Sequence, residues 1–311
     1  MSGASGLSAG GALKAYALLV GTTLCWGGNA VLGKLAVGEI SPMLLVSARW
    51  LGVMILVALF LRRGLVRDWP VLRRHLPFLA VMGATGFTSF NALFYIAAHT
   101  TTAVNIGILQ GSIPIFVLIF AFALYRDRIT ALQLVGVLLT AVGVVVIASG
   151  GSLERLLALA IREGDFLMIA ACAFYAAYAI GLRRRPNVST LSLFSVMAGS
   201  AFLVSLPFTA VEAAMGALQW PTPLGWLVVG LVTLFPSFLA QIFFIQGVDI
   251  IGPARAGVFA NLVPVFASIL AVIVLGEAFQ TFQGAALALV LGGIWMSERF
   301  KRAVPLPATM R

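Results

Sequence analysis

The chain has 311 residues, 61% of them hydrophobic and 10% charged, against about 45–50% and about 25% in soluble domains. Too few charges are present to clothe a soluble surface, so a soluble globular protein is excluded and the function has to lie inside a membrane. The net charge of +10 would suggest nucleic acid in a soluble protein; here the basic residues sit in short loops between apolar runs, and no nucleic-acid partner is expected.

A membrane-spanning helix needs about 20 mostly apolar residues. Ten such runs follow in order, at 13–35, 42–61, 76–98, 103–125, 132–148, 166–182, 191–211, 224–248, 253–275 and 282–296. They are continuous rather than alternating, which predicts helices and excludes barrel strands. Residues 1–11 are small and polar, without a basic n-region or cleavage site, so no removable signal peptide is expected. Cys25 and Cys172 lie within apolar runs and have no metal spacing, so they read as packing residues, and neither metal nor cofactor is expected.

Basic residues crowd alternate loops. Arg62, Arg63, Arg67, Arg73 and Arg74 follow the second run, Arg126 and Arg128 the fourth, and Arg183 to Arg185 the sixth. The tail carries Arg299, Lys301, Arg302 and Arg311, while the loops around residues 154–165, Glu212 and Glu277 have little net positive charge. The positive-inside rule puts the rich loops and both termini in the cytoplasm. In the eighth-to-ninth loop Asp249 and Arg255 cancel.

The chain also repeats itself. At a fixed offset of 150, Phe94 pairs with Phe244, Gly107 with Gly257, Pro114 with Pro264, Asp127 with Glu277, Gln133 with Gln283 and Gly143 with Gly293. Paired Pro, Gln and acid positions at one offset point to a duplication, with repeats at 1–150 and 151–311. Five helices per repeat is an odd number, so the second enters from the opposite side. The expected fold is all-α, with ten transmembrane helices in two inverted-topology repeats of five. Many secondary transporters are built this way, with the solute site near the midplane between the halves.

Particular residues now suggest a family. The first run carries Trp26-Gly27 and Lys34, followed by Ser41-Pro42 and Arg49. The second half opens with Gly164-Asp165, continues through Tyr175-Ala176 and Tyr178, and closes on Arg183-Arg184; the ninth run has Pro264 and ends Leu275-Gly276-Glu277. Over essentially its whole length the chain resembles the EamA-type carriers of the drug/metabolite transporter superfamily, and most closely the YddG-type aromatic amino acid exporters. Two positions depart from that pattern: Tyr175 replaces a usual Trp, and Arg126-Asp127-Arg128 replaces a usual Gly-Glu. The resemblance implies export of small metabolites, chiefly amino acids including aromatic ones, across a bacterial inner membrane; a monomer is expected, with an oligomer left open. The alternative within the superfamily is a nucleotide-sugar or phosphate-ester carrier, which needs a Lys/Arg cluster in its cavity. From other classes, a membrane-embedded enzyme or a non-transporting scaffold stays open. An enzyme lacks support: the histidines are His75, in a basic loop, and His99, at a helix end, and no paired carboxylates, His-Glu-x-x-His or phosphate loop occurs.

Uncharged polar and aromatic residues inside the runs are the candidate solute contacts. Asn91 and Tyr95 share a helix face at i, i+4. Gln110 precedes Pro114 by a turn, Asn261 precedes Pro264, and Gln241 sits on the eighth run. Polar side chains in a bilayer face the bundle interior or a water-filled cavity. Trp26, with Asn29 beside it at i, i+3, and Tyr175 with Tyr178 put aromatics from both halves around one space, where rings can stack on a flat solute. Arg49, about 10 Å into its helix at 1.5 Å per residue, should point inward, to a structural partner or a solute carboxylate. For each residue the plain alternative is helix packing. Pro114 and Pro264 are candidate hinges for alternating access, or static kinks. The ten acids all lie in loops or near helix ends, so the expected transport is facilitative, with no ion coupling.

Overall fold

The computed structural model describes residues 9–126, 130–154, 162–251, 256–257 and 259–299. Among them every regular element is helical. Eight helices are long and apolar enough to cross a membrane, and two shorter apolar ones, Ala260–Leu275 and Thr281–Ser297, follow. Asp127, Arg128, Pro253 and Arg255, and with them the expected Asp249–Arg255 pairing, lie outside the described residues.

The first half runs α1 (Ala9–Leu35), α2 (Pro42–Phe60), α3 (Arg62–Leu72), α4 (Leu76–Gly83), a π-helical stretch (Ala84–Ser89), α5 (Phe90–Thr100), α6 (Ala103–Leu109), a 3-10 turn (Gln110–Ser112), α7 (Ile113–Tyr125) and α8 (Ala131–Ala148). The second runs α9 (Glu163–Gly181), α10 (Thr190–Ala214), α11 (Pro223–Val232), a second π stretch (Thr233–Leu239), α12 (Ala240–Ile251), a 3-10 turn (Ala260–Leu262), α13 (Val263–Leu275) and α14 (Thr281–Arg299). The breaks recur with the sequence offset. Both 3-10 turns and the helices after them start 150 residues apart. Each of those helices carries its proline in the first turn, at Pro114 and Pro264, where a missing N–H costs nothing. Each also ends on a left-handed residue, Arg126 at φ 56° and Gly276 at φ 66°.

One expectation is corrected. The basic stretch after the second run was expected as a loop, but Arg62–Leu72 is helical and continues into the next span, giving an unbroken helix over Arg62–Thr100. The reason is its amphipathic pattern: Leu72 is buried and Leu65 packs against the core, while the arginines keep to the other face.

The halves interlock. Helix α1 packs against α12 and α13 of the second half, and α9 packs correspondingly against α5 and α7 of the first. Helices α2 and α10 pair, as do α8 and α14. The last pair crosses at very short range: a Cβ on Gly293 would stand 2.4 Å from the Gly136 carbonyl oxygen. The Gly107/Gly111 spacing serves two neighbours at once, since added Cβ atoms would meet Ala267 and Val290 respectively.

The acids close helix ends. Glu212 accepts from Ser41 Oγ at 2.6 Å and from the Met43 and Leu44 amides, capping α2. Glu277 accepts from the Ala103 and Val104 amides at 2.8 and 3.0 Å, capping α6 across the two halves. Asp165 is fully buried, accepting from Thr101 and Asn105. Lys34 donates to the Ala98 and Thr101 carbonyls at the end of α5.

Candidate functional site

A cavity of about 180 Å³ opens where the broken helices meet. Both π stretches and both 3-10 turns border it. In the second half Pro236 removes a backbone donor and accounts for the irregular hydrogen bonding. Trp26 Nε1 donates to the Pro236 carbonyl at 3.2 Å. In the first half the stretch has no proline; there Gly86 meets the Tyr178 ring so closely that a Cβ would stand 2.3 Å from it.

Fourteen of the lining residues form seven pairs at the 150 offset: Gly86 with Pro236, Phe87 with Ser237, Asn91 with Gln241, Gln110 with Ala260, Gly111 with Asn261, Ile113 with Val263, and Pro114 with Pro264. The cavity therefore sits on the relation between the halves, where a small relative movement of the two changes its shape.

Seven of the nine residues singled out from the sequence line this cavity: Trp26, Arg49, Asn91, Gln110, Tyr175, Gln241 and Asn261. The other two stand behind it. Tyr95 is 2% exposed and its hydroxyl is 2.5 Å from Arg49 Nη1. Tyr178 is buried, its ring 5.3 Å from that of Phe87 and 5.4 Å from that of Tyr175. Asn29, noted beside Trp26 in the sequence, also lines it; sequence reasoning left out Trp50, Phe87, Phe90, Phe194 and Ser237, which line it as well. Ser237 had a signal, since it precedes Gln241 by one helical turn. The phenylalanines had none, because apolar residues are equally common on lipid-facing positions.

Arg49 organises one end. It is 5% exposed. Its Nε donates to Ser237 Oγ at 2.6 Å, and its Nη1 to Asn91 Oδ1 at 2.7 Å, Tyr95 at 2.5 Å and Asn29 Oδ1 at 3.2 Å. The guanidinium carbon lies 5.4 Å from the centre of the Trp50 ring. These partners come from α1, α5 and the second π stretch, so one cation ties three elements together. Elsewhere on the wall, Gln241 and Asn261 make no side-chain hydrogen bond, and Gln110 makes one long one, 3.5 Å to the Ile106 carbonyl. Aromatic rings of Trp26, Phe87, Phe90, Tyr175 and Phe194 form much of the wall. Among the described residues no cluster of metal-ligating side chains occurs.

An all-helical membrane chain with a partly polar cavity shared between two like halves has the build of a transporter. Residues 13–149 and 162–298 match the EamA-like transporter family, so the chain belongs to that family and is a membrane transporter, not an enzyme. It is 30% identical to the uncharacterized transporter YetK of Bacillus subtilis (strain 168) over 92% of this chain and 87% of that one. It is 29% identical to the uncharacterized transporter YyaM of the same strain, over 91% and 92%. An uncharacterized inner membrane transporter of Escherichia coli (strain K12), YedA, is 25% identical over 90% and 89%. A solved crystal structure is similar at a TM-score of 0.61 and 21% identity, covering 93% of this chain and 97% of that one, which supports the fold alone.

Proposed function

We propose that this transporter exports small metabolites, chiefly amino acids including aromatic ones, by alternating access across a bacterial inner membrane. The observation that carries the reading is the cavity itself: seven of its lining pairs are related by the repeat, and its walls combine aromatic rings with amides that have no protein partner. An unsatisfied amide facing a cavity in a membrane protein is available to a solute or to water. Rings and amides together suit a small solute with a flat apolar part and a polar part.

The reading has ten transmembrane helices in two inverted repeats, 1–150 and 151–311, with both termini cytoplasmic and a monomer as the working unit. The two halves exchange packing across the cavity, which suits rocking of one against the other. Pro114 and Pro264, each starting a helix at a 3-10 break beside the cavity, serve as hinges. Transport is facilitative: among the described residues no acid lines the cavity, and Glu212 and Glu277 are engaged as helix caps. A phosphate-ester carrier fits less well, because Arg49 is the one described cation at the cavity and Lys34 is held by backbone carbonyls.

The experiment is a flux screen of purified protein in liposomes against amino acids, sugars and nucleosides, with and without an imposed pH or sodium gradient. Equilibration of amino acids, with no accumulation driven by either gradient, is expected. Flux of sugars or nucleosides alone would refute the substrate class, and gradient-driven accumulation would refute facilitation.

A further inference from the structure

Eight lining residues have no partner in the cavity at the 150 offset, and one of them, Arg49, carries the charge of the described lining. Arg49 and Trp50 correspond at the 150 offset to Gly199 and Ser200. The first two line the cavity and the second two do not. The Arg49 guanidinium is only partly engaged: Nε and Nη1 make the four bonds already described, and Nη2 donates to no protein atom. All four acceptors are neutral. Among the described residues the sole ion pair is Arg67–Asp68, away from the cavity. Next to Arg49, Trp50 is 3% exposed, and its buried Nε1–H has no hydrogen-bond partner. The indole is stacked on Phe87 with ring centres 4.6 Å apart and planes 9° from parallel.

A buried cation without a counter-ion is costly, and so is a buried donor without an acceptor. One ligand chemistry relieves the first. A carboxylate supplies the missing counter-charge and accepts a charge-assisted bond from the free Nη2 through one oxygen, with the Trp50 ring beside the guanidinium. The ring walls of Trp26, Phe90 and Tyr175 then cover an apolar body, and the free amides of Gln241 and Asn261 meet any uncharged polar group at its far end.

We propose that Arg49 and Trp50 form a carboxylate subsite, and that the preferred solute is a monoanionic carboxylic acid with a flat apolar body, its α-amino group not required. This rests on the cavity being the solute site. The preference follows from charge. Arg49 gives the described cavity one positive charge, which a monoanion neutralises. A zwitterion leaves that charge uncompensated, an amine adds to it, and a dianionic phosphate ester overshoots it. Nothing among the described lining residues offers a carboxylate to an ammonium group. The amides that remain serve a 2-oxo or 2-hydroxy oxygen equally well. Aryl 2-hydroxy acids are therefore carried ahead of the matching aromatic amino acids.

The test uses the full chain in liposomes and four labelled probes of one shape: phenyllactate, phenylalanine, phenethylamine and phenyl phosphate. Phenyllactate flux should exceed phenylalanine flux by about tenfold, the factor that one well-placed charge interaction supplies. Because each turnover moves one negative charge, that flux should follow an imposed potassium diffusion potential, whereas phenylalanine flux should not. Arg49→Gln should remove the preference, and Arg49→Lys should restore part of it. Phenylalanine carried as well as phenyllactate, with Arg49→Gln slowing both alike, would overturn the subsite and leave the transport reading standing. Phenyllactate binding to detergent-solubilised protein, read by tryptophan quenching, needs no flux. Quenching lost in Arg49→Gln supports the subsite even if no probe crosses, a result that would count against transport instead; quenching unchanged in Arg49→Gln overturns the subsite.

Discussion

Glu277 offers the sharpest quantitative prediction, because it joins the two halves through two short bonds. Its carboxylate oxygens accept from the Ala103 and Val104 amides at 2.8 and 3.0 Å, first-turn donors of α6 that have no partner within the helix. The position is half-buried, so the lower end of the range for hydrogen bonds to a charged group applies, about 1.5 kcal/mol each. Glu277→Ala removes both and should cost about 3 kcal/mol. Glu277→Gln keeps one carbonyl acceptor as a neutral bond worth about 1 kcal/mol and should cost about 2 kcal/mol. The exposed Glu154, which makes no such bond, provides the control, and Glu154→Gln should stay within about 0.5 kcal/mol. Equilibrium unfolding in mixed micelles reads all three. The order wild type, Gln, Ala is the signature of a cap. Equal stability of all three would refute it, and an effect on solute accumulation without one on stability would make Glu277 an ion-coupling residue instead.

Two further predictions concern packing and orientation. Gly293→Ala should destabilise by about 1–3 kcal/mol through overpacking, since its Cβ would stand 2.3 Å from Thr140 Oγ1. Its neighbour Gly292, whose Cβ would meet only Leu139 at 4.0 Å, should gain up to about 1 kcal/mol as alanine from helix propensity; unfolding of the two variants side by side checks the contrast. Single-cysteine labelling in a background lacking Cys25 and Cys172 should find Arg184 reachable from the cytoplasmic side and Glu154 from the other. Labelling of both from one side would refute the inverted repeat.

Much of the architecture could be read from residues alone, for reasons that differ by feature. Spans such as 42–61 are visible because a bilayer leaves no alternative to a continuous apolar helix. The duplication is visible because Pro114/Pro264 and Gln133/Gln283 are residue types that apolar drift does not produce. The arginines at 62–74 misled, since charge density marks the side of the membrane and says little about whether the backbone is helical. The π stretches were hidden: Ala84–Ser89 has no proline to announce it, and its geometry comes with the approach of Tyr178 to Gly86. For the cavity, polar residue type was an effective guide, as Asn91, Gln110, Gln241 and Asn261 have nowhere favourable to go but inward. It was poorer for aromatics. Tyr95 and Tyr178 lie behind the wall, while Trp50 and Phe87 form it, and only tertiary packing separates the two cases. The proposed role of Arg49 Nη2 rests on a missing partner, which no spacing in the sequence records.

The measurement closest to the central claim blocks the cavity and watches the solute. Asn261 lines it and makes no side-chain hydrogen bond, so Asn261→Trp fills the space without breaking a contact. Uptake of labelled phenylalanine and phenyllactate into liposomes should be fast with the wild-type chain and fall to the protein-free rate with Asn261→Trp, while unfolding stability stays within about 1 kcal/mol of wild type. Undiminished uptake by a stably folded Asn261→Trp protein would mean that solutes do not pass through this cavity.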